Sequence, residues 1–73
     1  MRLRVVSARN EIPNLNPNEK MVHLDFRASN VDFLNLMQRC PRLRIIQVPP
    51  SYHKTMSNAI QVFLDMQGIE LLE

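Results

Sequence analysis

The sequence predicts a small α/β domain built on a mostly parallel four-stranded sheet, in the order β-loop-β-α-β-α-β, with the helices mainly on one face. Three observations lead to this fold class. A chain of 73 residues suffices for a single domain, 1–73. It contains four short apolar stretches typical of strands, and the last two connections between them have helical periodicity. Strands that alternate with helices usually pair in parallel.

The four predicted strands are rich in Val, Ile, Leu or Phe, which favour strands. They cover residues 2–7, 20–26, 43–49 and 69–73. In the second strand the apolar Val22 and Leu24 alternate with the polar His23 and Asp25. This alternation predicts a sheet with one covered face and one partly polar face.

The first connection, "ARNEIPNLNPNEK", is rich in Asn and Pro, a composition typical of turns. We expect at most one short helical turn in it, around Glu11 and Ile12. Ile12 and Leu15 are the residues expected to anchor the connection to the core.

Both later connections carry helix signals. Ser29 and Asp32 form a Ser-x-x-Asp variant of the capping box at the start of the first helix. We expect the second helix to cover residues 51–67, with Ser51 as its N-cap and Gly68 as the residue that ends it.

A loose internal repeat relates the second and third predicted strands. A shift of 22 residues superimposes Met21, Leu24 and Phe26 on apolar residues of the third strand. The stretch "CPRLRIIQVP" resembles a leucine-rich-repeat strand with its lead-in. A compact α/β unit with the same chain order is the preferred interpretation. Both interpretations leave a parallel sheet with exposed edges, and such edges favour pairing with a second copy.

Composition excludes several classes of protein. The single cysteine, Cys40, can form no internal disulfide, and the sequence contains no cluster of Cys and His residues of the kind that forms a metal site. No apolar segment has the length of a signal peptide or of a membrane span. We therefore expect a cytoplasmic protein without a membrane partner, a metal or a cofactor.

One candidate ligand site lies where the second and third strands end. Ligands of parallel sheets collect beyond the carboxyl ends of the strands, and helix N-termini there attract anions. The predicted ligand is a phosphate-bearing molecule, a nucleotide or structured RNA. Its predicted contacts are Arg27, Ser29, Ser51, Tyr52, His53 and Lys54. The simpler interpretation of "VPPSYHKTMS" is a turn and a helix cap, because no glycine-rich phosphate loop is present.

A second candidate site is basic. All nine Lys and Arg residues lie within residues 1–54, although the net charge is only +2. If the first and third strands are adjacent, four guanidinium groups line one sheet face and contact the backbone of a nucleic acid. They belong to Arg2, Arg4, Arg42 and Arg44. Aromatic residues for base stacking are few.

The sequence does not favour an enzyme. His23 and His53 are the only histidines, and their predicted positions are too far apart to share a proton or a metal. Cys40 precedes Pro41 at a helix end, where the helix dipole disfavours a thiolate, and we expect it to be a buried apolar residue.

Several stretches resemble a family of short proteins of unknown function from methanogenic archaea. They are "VVSARNEI", "NLNPNE", "FRASNVD", "PPSYHKT" and "MQGIELLE". The resemblance implies an archaeal, cytoplasmic protein and assigns no role to any residue. Because the sequence ends within the predicted strand "IELLE", we also expect the natural chain to extend beyond Glu73.

The favoured function is therefore a non-enzymatic protein-interaction module that self-associates, as a homodimer. The alternative is a binder of phosphate-bearing ligands at the basic edge where strands lead into helices.

Overall fold

The computed structural model describes residues 2–73, and it confirms the predicted α/β fold class. Four strands form one sheet in the order β1-β2-β3-β4, and every neighbouring pair is parallel. The strands are β1 (Leu3–Val6), β2 (Met21–Leu24), β3 (Ile45–Gln47) and β4 (Glu70–Leu72). Each strand therefore pairs only with its neighbours along the chain.

The connection from β1 to β2 contains a 3-10 helix, Arg9–Asn14. Pro13 lies inside it, and the short helix tolerates this residue because few of its backbone groups need an internal partner. Ile12 and Leu15 are buried, which confirms both as anchors of this connection. The helical segment is longer than the single turn expected from the sequence.

The two faces of the sheet differ in burial. Val22 and Ile46 pair across the two central strands and are both fully buried, so their row marks the face that packs against the helices. Along each strand, the residues that alternate with this buried row point to the opposite side of the sheet, which we call the open face. The open face consists of Leu3, Val5, Met21, His23, Ile45, Gln47, Glu70 and Leu72.

The pairing register corrects the predicted repeat. Met21 pairs with Ile45, an offset of 24 residues rather than 22. Leu3 pairs with Met21 and Ile45 with Glu70, so the other two offsets are 18 and 25 residues. The offsets share no fixed period, because the connections differ in length.

One hydrophobic core lies between the buried face of the sheet and the helix layer. Burial of each large aliphatic or aromatic side chain contributes about 1.5–3 kcal/mol to the free energy of unfolding. The largest fully buried side chains belong to Phe33, Leu15, Leu24, Leu36, Ile46, Leu64, Val6 and Val22. No helix among residues 2–73 combines the length and the apolar character that a membrane span needs.

Helix α1 (Asn30–Arg39) begins with the predicted capping box. The N–H of Asp32 donates to the Ser29 hydroxyl over 3.3 Å, and the N–H of Ser29 donates to the Asp32 carboxylate over 2.8 Å. The carboxylate also accepts hydrogen bonds from the Arg9 guanidinium at 3.3–3.4 Å. The start of α1 is thus joined to the 3-10 helix.

The predicted single helix over residues 51–67 is wrong. The chain forms α2 (Pro50–His53) and α3 (Asn58–Met66), separated by an irregular segment. Ser57 has extended backbone, and its hydroxyl accepts the N–H of Ile60, so it starts a new helix instead of continuing the old one. Ser51 is not a cap either: Pro49 holds the N-cap position of α2 without a side-chain hydrogen bond.

Gly68 ends α3, as predicted. It has a φ of +75°, its N–H donates to the carbonyl of Asp65, and the N–H of Ile69 donates to the carbonyl of Leu64 over 2.9 Å. These two bonds form a Schellman motif. The reversal carries the chain into β4 and buries Ile69.

Replacing Gly68 with Ala is expected to lower the free energy of unfolding by about 1 kcal/mol, because an L-residue resists positive φ. A Cβ atom at this position meets nothing within 4 Å, so no steric clash adds to this cost. Gly68→Asn is the matched control and should lose less, because Asn tolerates this conformation. Urea unfolding of the three proteins measures the difference. Equal stability of Gly68→Ala and the parent would contradict this role.

Burial alone raises the pKa of Asp32, but the hydrogen bonds from Ser29 and Arg9 outweigh it and hold the pKa below its ordinary value. The stabilisation by this carboxylate is therefore complete above the unfolded-chain pKa of about 3.9 and is lost as the pH falls through the lower folded value. We expect Asp32→Ala to lower the free energy of unfolding by about 1–2 kcal/mol at neutral pH.

Asp32→Asn is the control for charge, because it keeps an acceptor oxygen for the N–H of Ser29. Urea unfolding between about pH 5 and pH 2 should show a steeper loss of stability for the parent than for Asp32→Asn. Parallel pH profiles for the two proteins would disprove the contribution of the carboxylate charge.

Candidate functional site

The six predicted ligand contacts lie on the two segments that follow β2 and β3. Arg27 and Ser29 precede α1, and the other four residues lie in or directly after α2. The two segments meet where the Arg27 guanidinium stands over the ring of Tyr52, 5.8 Å from its centroid. Among the six residues, this contact between Arg27 and Tyr52 is the one that joins the two segments.

Several polar groups at this carboxyl edge already have partners within the protein. The hydroxyl of Ser29 belongs to the capping box of α1. The imidazole of His53 pairs with the carboxylate of Glu73, which brings a negative charge to this edge. Ser51 and Lys54 are exposed. Binding of a phosphate ligand here stays a prediction.

The start of α2 offers few N–H groups to an anion. Pro49 and Pro50 have no N–H, and the N–H groups of Tyr52 and His53 both donate to the carbonyl of Pro49. The helix contains only four residues, so its dipole is small. The double proline therefore removes the feature that makes helix N-termini attractive to phosphate.

A groove of about 470 Å³ lies between the 3-10 helix and α1. Arg9 and Arg39 line it, but both guanidinium groups have structural partners. Arg9 pairs with Asp32 and stands over the ring of Phe26, and Arg39 donates to the carbonyl of Leu15 over 2.6 Å. The sequence does not reveal this role of Arg9, because nothing in the spacing of Arg9 and Asp32 along the chain indicates that they meet.

The open face carries a polar pair at its centre. Nδ1 of His23 and Oε1 of Gln47 are 3.0 Å apart on neighbouring strands. The amide nitrogen of Gln47 in turn donates to the carbonyl of Glu73 over 3.4 Å. His23 is therefore oriented by Gln47.

The thiol of Cys40 is buried and donates to the carbonyl of Asn16. Burial, and after it the negative charge of Glu19, raises the pKa of Cys40 against the smaller opposing effect of Arg39. A thiol in this state is a poor nucleophile. Within residues 2–73, no three Cys, His, Asp or Glu side chains come close enough together to hold a metal ion.

The predicted arginine face does not form in the expected way. Strand β2 lies between β1 and β3, so the arginines of the first and third segments are not on adjacent strands. Arg4 lies in β1. The other three precede their strands at the amino-terminal edge of the sheet, opposite the carboxyl edge: Arg2, Arg42 and Arg44. Nucleic-acid contact by these residues stays a prediction.

Comparison with protein families finds one match. The model for the N-terminal domain of a family of unknown function, DUF1699, matches residues 2–73. Neither the curated proteins nor the solved structures include a match. The archaeal origin and the cytoplasmic location stay predictions. Since the family match covers every residue of the chain except the first, the chain belongs to the DUF1699 family, whose N-terminal domain it contains.

Proposed function

We propose that this domain is a non-enzymatic protein-interaction module that self-associates through the open face of its sheet. The observation that carries the proposal is the uncovered face itself. Parallel sheets occur almost only with both faces covered, because their strands are apolar on both sides. Here the helices cover one face, and Leu3 and Val5 on the other are 43% and 50% exposed.

The chemistry of the open face supports burial against a protein. Five of its eight residues are apolar, and none is Lys or Arg, although the chain contains nine of these cations. Glu70 carries its one full charge and lies on the edge strand β4. A sheet face that stays exposed to water usually carries charged residues.

A second copy of the chain is the occupant that we propose. Two copies related by a two-fold axis present the same apolar rows to each other, and their sheets stack about 10 Å apart. The resulting order of layers, α/β/β/α, covers both faces of each sheet. The central polar pair, His23 and Gln47, already shares a hydrogen bond, so its burial leaves fewer unpartnered groups.

Association by edge pairing, the route expected from the sequence, has less support. The edge strands β1 and β4 contain four and three residues, and short edges form few hydrogen bonds with another chain.

Val5→Lys is expected to abolish the dimer. Each dimer would bury two unpaired ammonium groups, so its dissociation constant should rise at least about 100-fold. Sedimentation velocity from about 1 µM to about 1 mM protein measures the change. We expect a concentration-dependent dimer for the parent protein and a monomer for the variant.

Val62→Lys is the matched control, because Val62 is 58% exposed on α3, in the helix layer. It should dimerise like the parent. Dissociation by Val62→Lys and not by Val5→Lys would place the interface on the helix layer and refute the proposal. A parent protein that stays monomeric throughout the concentration range would also refute it. Thermal unfolding of both variants checks that each is folded.

A further inference from the structure

Three cations lie side by side at the amino-terminal edge of the sheet. Leu3, Met21 and Ile45 form one row across three neighbouring strands. The residues directly before them are Arg2, Lys20 and Arg44. Since adjacent strands are about 4.8 Å apart, this basic row spans about 10 Å.

The backbone fixes the spacing of this basic row. The carbonyl of Lys20 accepts the N–H of Arg44 over 2.8 Å and that of Ile45 over 3.1 Å. The carbonyl of Arg44 accepts the N–H of Glu70 over 2.8 Å. The backbone of Lys20 and Arg44 therefore belongs to the hydrogen-bonded sheet, and their long side chains are free to adapt to a ligand.

A groove of about 610 Å³ opens beside the basic row. Lys20, Arg42 and Arg44 line it together with Leu43, Gln67 and Gly68, and its lining contains no acidic residue. The Schellman turn at Gly68 forms part of the lining, and Gly68 itself contributes no side chain to it. The groove is thus open to solvent and positively charged.

The cations of the row and groove form no ion pair among residues 2–73. The ion pairs among residues 2–73 are Arg9 with Asp32 and His53 with Glu73. Neither pair lies at this edge, and Arg2, Lys20, Arg42 and Arg44 are all exposed. Their positive charge is available to an external anion.

We infer that this amino-terminal edge binds the phosphate backbone of RNA without sequence preference. A run of fixed cations matches a backbone that carries one negative charge per nucleotide, whereas a single inorganic phosphate engages only part of the row. None of the groove residues is aromatic, so bases have no stacking platform. The inference is independent of the proposed dimer, because the row precedes the strands and is not part of the open face.

The test is fluorescence anisotropy with a labelled oligouridylate of about 16 nucleotides, in salt from about 50 to 200 mM. The logarithm of the binding constant should fall linearly with the logarithm of the salt concentration, with a slope of about −0.7 for each phosphate contact. Lys20→Gln and Arg44→Gln should each weaken binding about five-fold at low salt, the effect of one charge pair in contact in water. An oligoadenylate of equal length should bind equally.

Lys54→Gln is the matched control, since it removes one exposed cation at the opposite, carboxyl edge of the sheet. It should leave RNA binding unchanged. Equal weakening by Lys54→Gln and Lys20→Gln would overturn the inference, because net charge alone would then explain binding. Two other results would overturn it: no saturable RNA binding at low salt, or a strong preference for one base.

Inorganic phosphate is the second probe, followed by amide chemical shifts. We expect weak shifts at Lys20 and Arg44 and no competition with RNA at millimolar phosphate. Saturation of the same residues by phosphate, with RNA binding no tighter, would replace RNA with a small anion as the ligand. Thermal unfolding of the Gln variants verifies that each is folded.

Discussion

The whole molecule depends on burial of one face of a small parallel sheet. Val22 and Ile46 pair at the centre of this face and are fully enclosed, while Phe33, Leu36 and Leu64 close it from the helix side. A domain of this size buries a smaller fraction of its surface than a larger domain does, so each of these contacts matters to its stability. The helices in the connections between strands all pack on this one face, so the other face remains uncovered. This uncovered face is the proposed interaction surface.

Local signals in the sequence predicted the parts of the fold that local chemistry determines. Ser29 with Asp32 marked the start of α1, and Gly68 marked the end of α3, because caps depend on a few residues in one short stretch. Ile12 and Leu15 stood out as apolar residues in a polar connection. The break between α2 and α3 was missed, because the apolar periodicity of residues 51–67 continues through it. Ser57 was the local signal for this break, because serine favours the N-cap position over the interior of a helix.

Features that depend on contacts between distant residues could not be predicted. The pairing of Arg9 with Asp32 joins residues 23 positions apart. The register of β2 and β3 follows from which residues the helices bury, and it differs by two residues from the alignment that the apolar pattern of the sequence suggested. The basic row had the same origin: Lys20 joined Arg2 and Arg44 only when the strand order placed β2 between β1 and β3. The amino-terminal edge of the sheet thus carries a row of cations, whereas the open face carries no Lys or Arg.

The sequential strand order also bears on how the chain folds and opens. Every strand contacts only the strands before and after it, so no pairing has to wait for a distant part of the chain. Loop closure of this kind costs less entropy than pairing of strands that are farther apart along the chain. Local unfolding of the sheet should begin at β1 and β4 and proceed inward. Each of these edge strands pairs with one neighbour only, whereas β2 and β3 each pair with two. We therefore expect the edges to be the first parts of the sheet to exchange their amide protons with solvent.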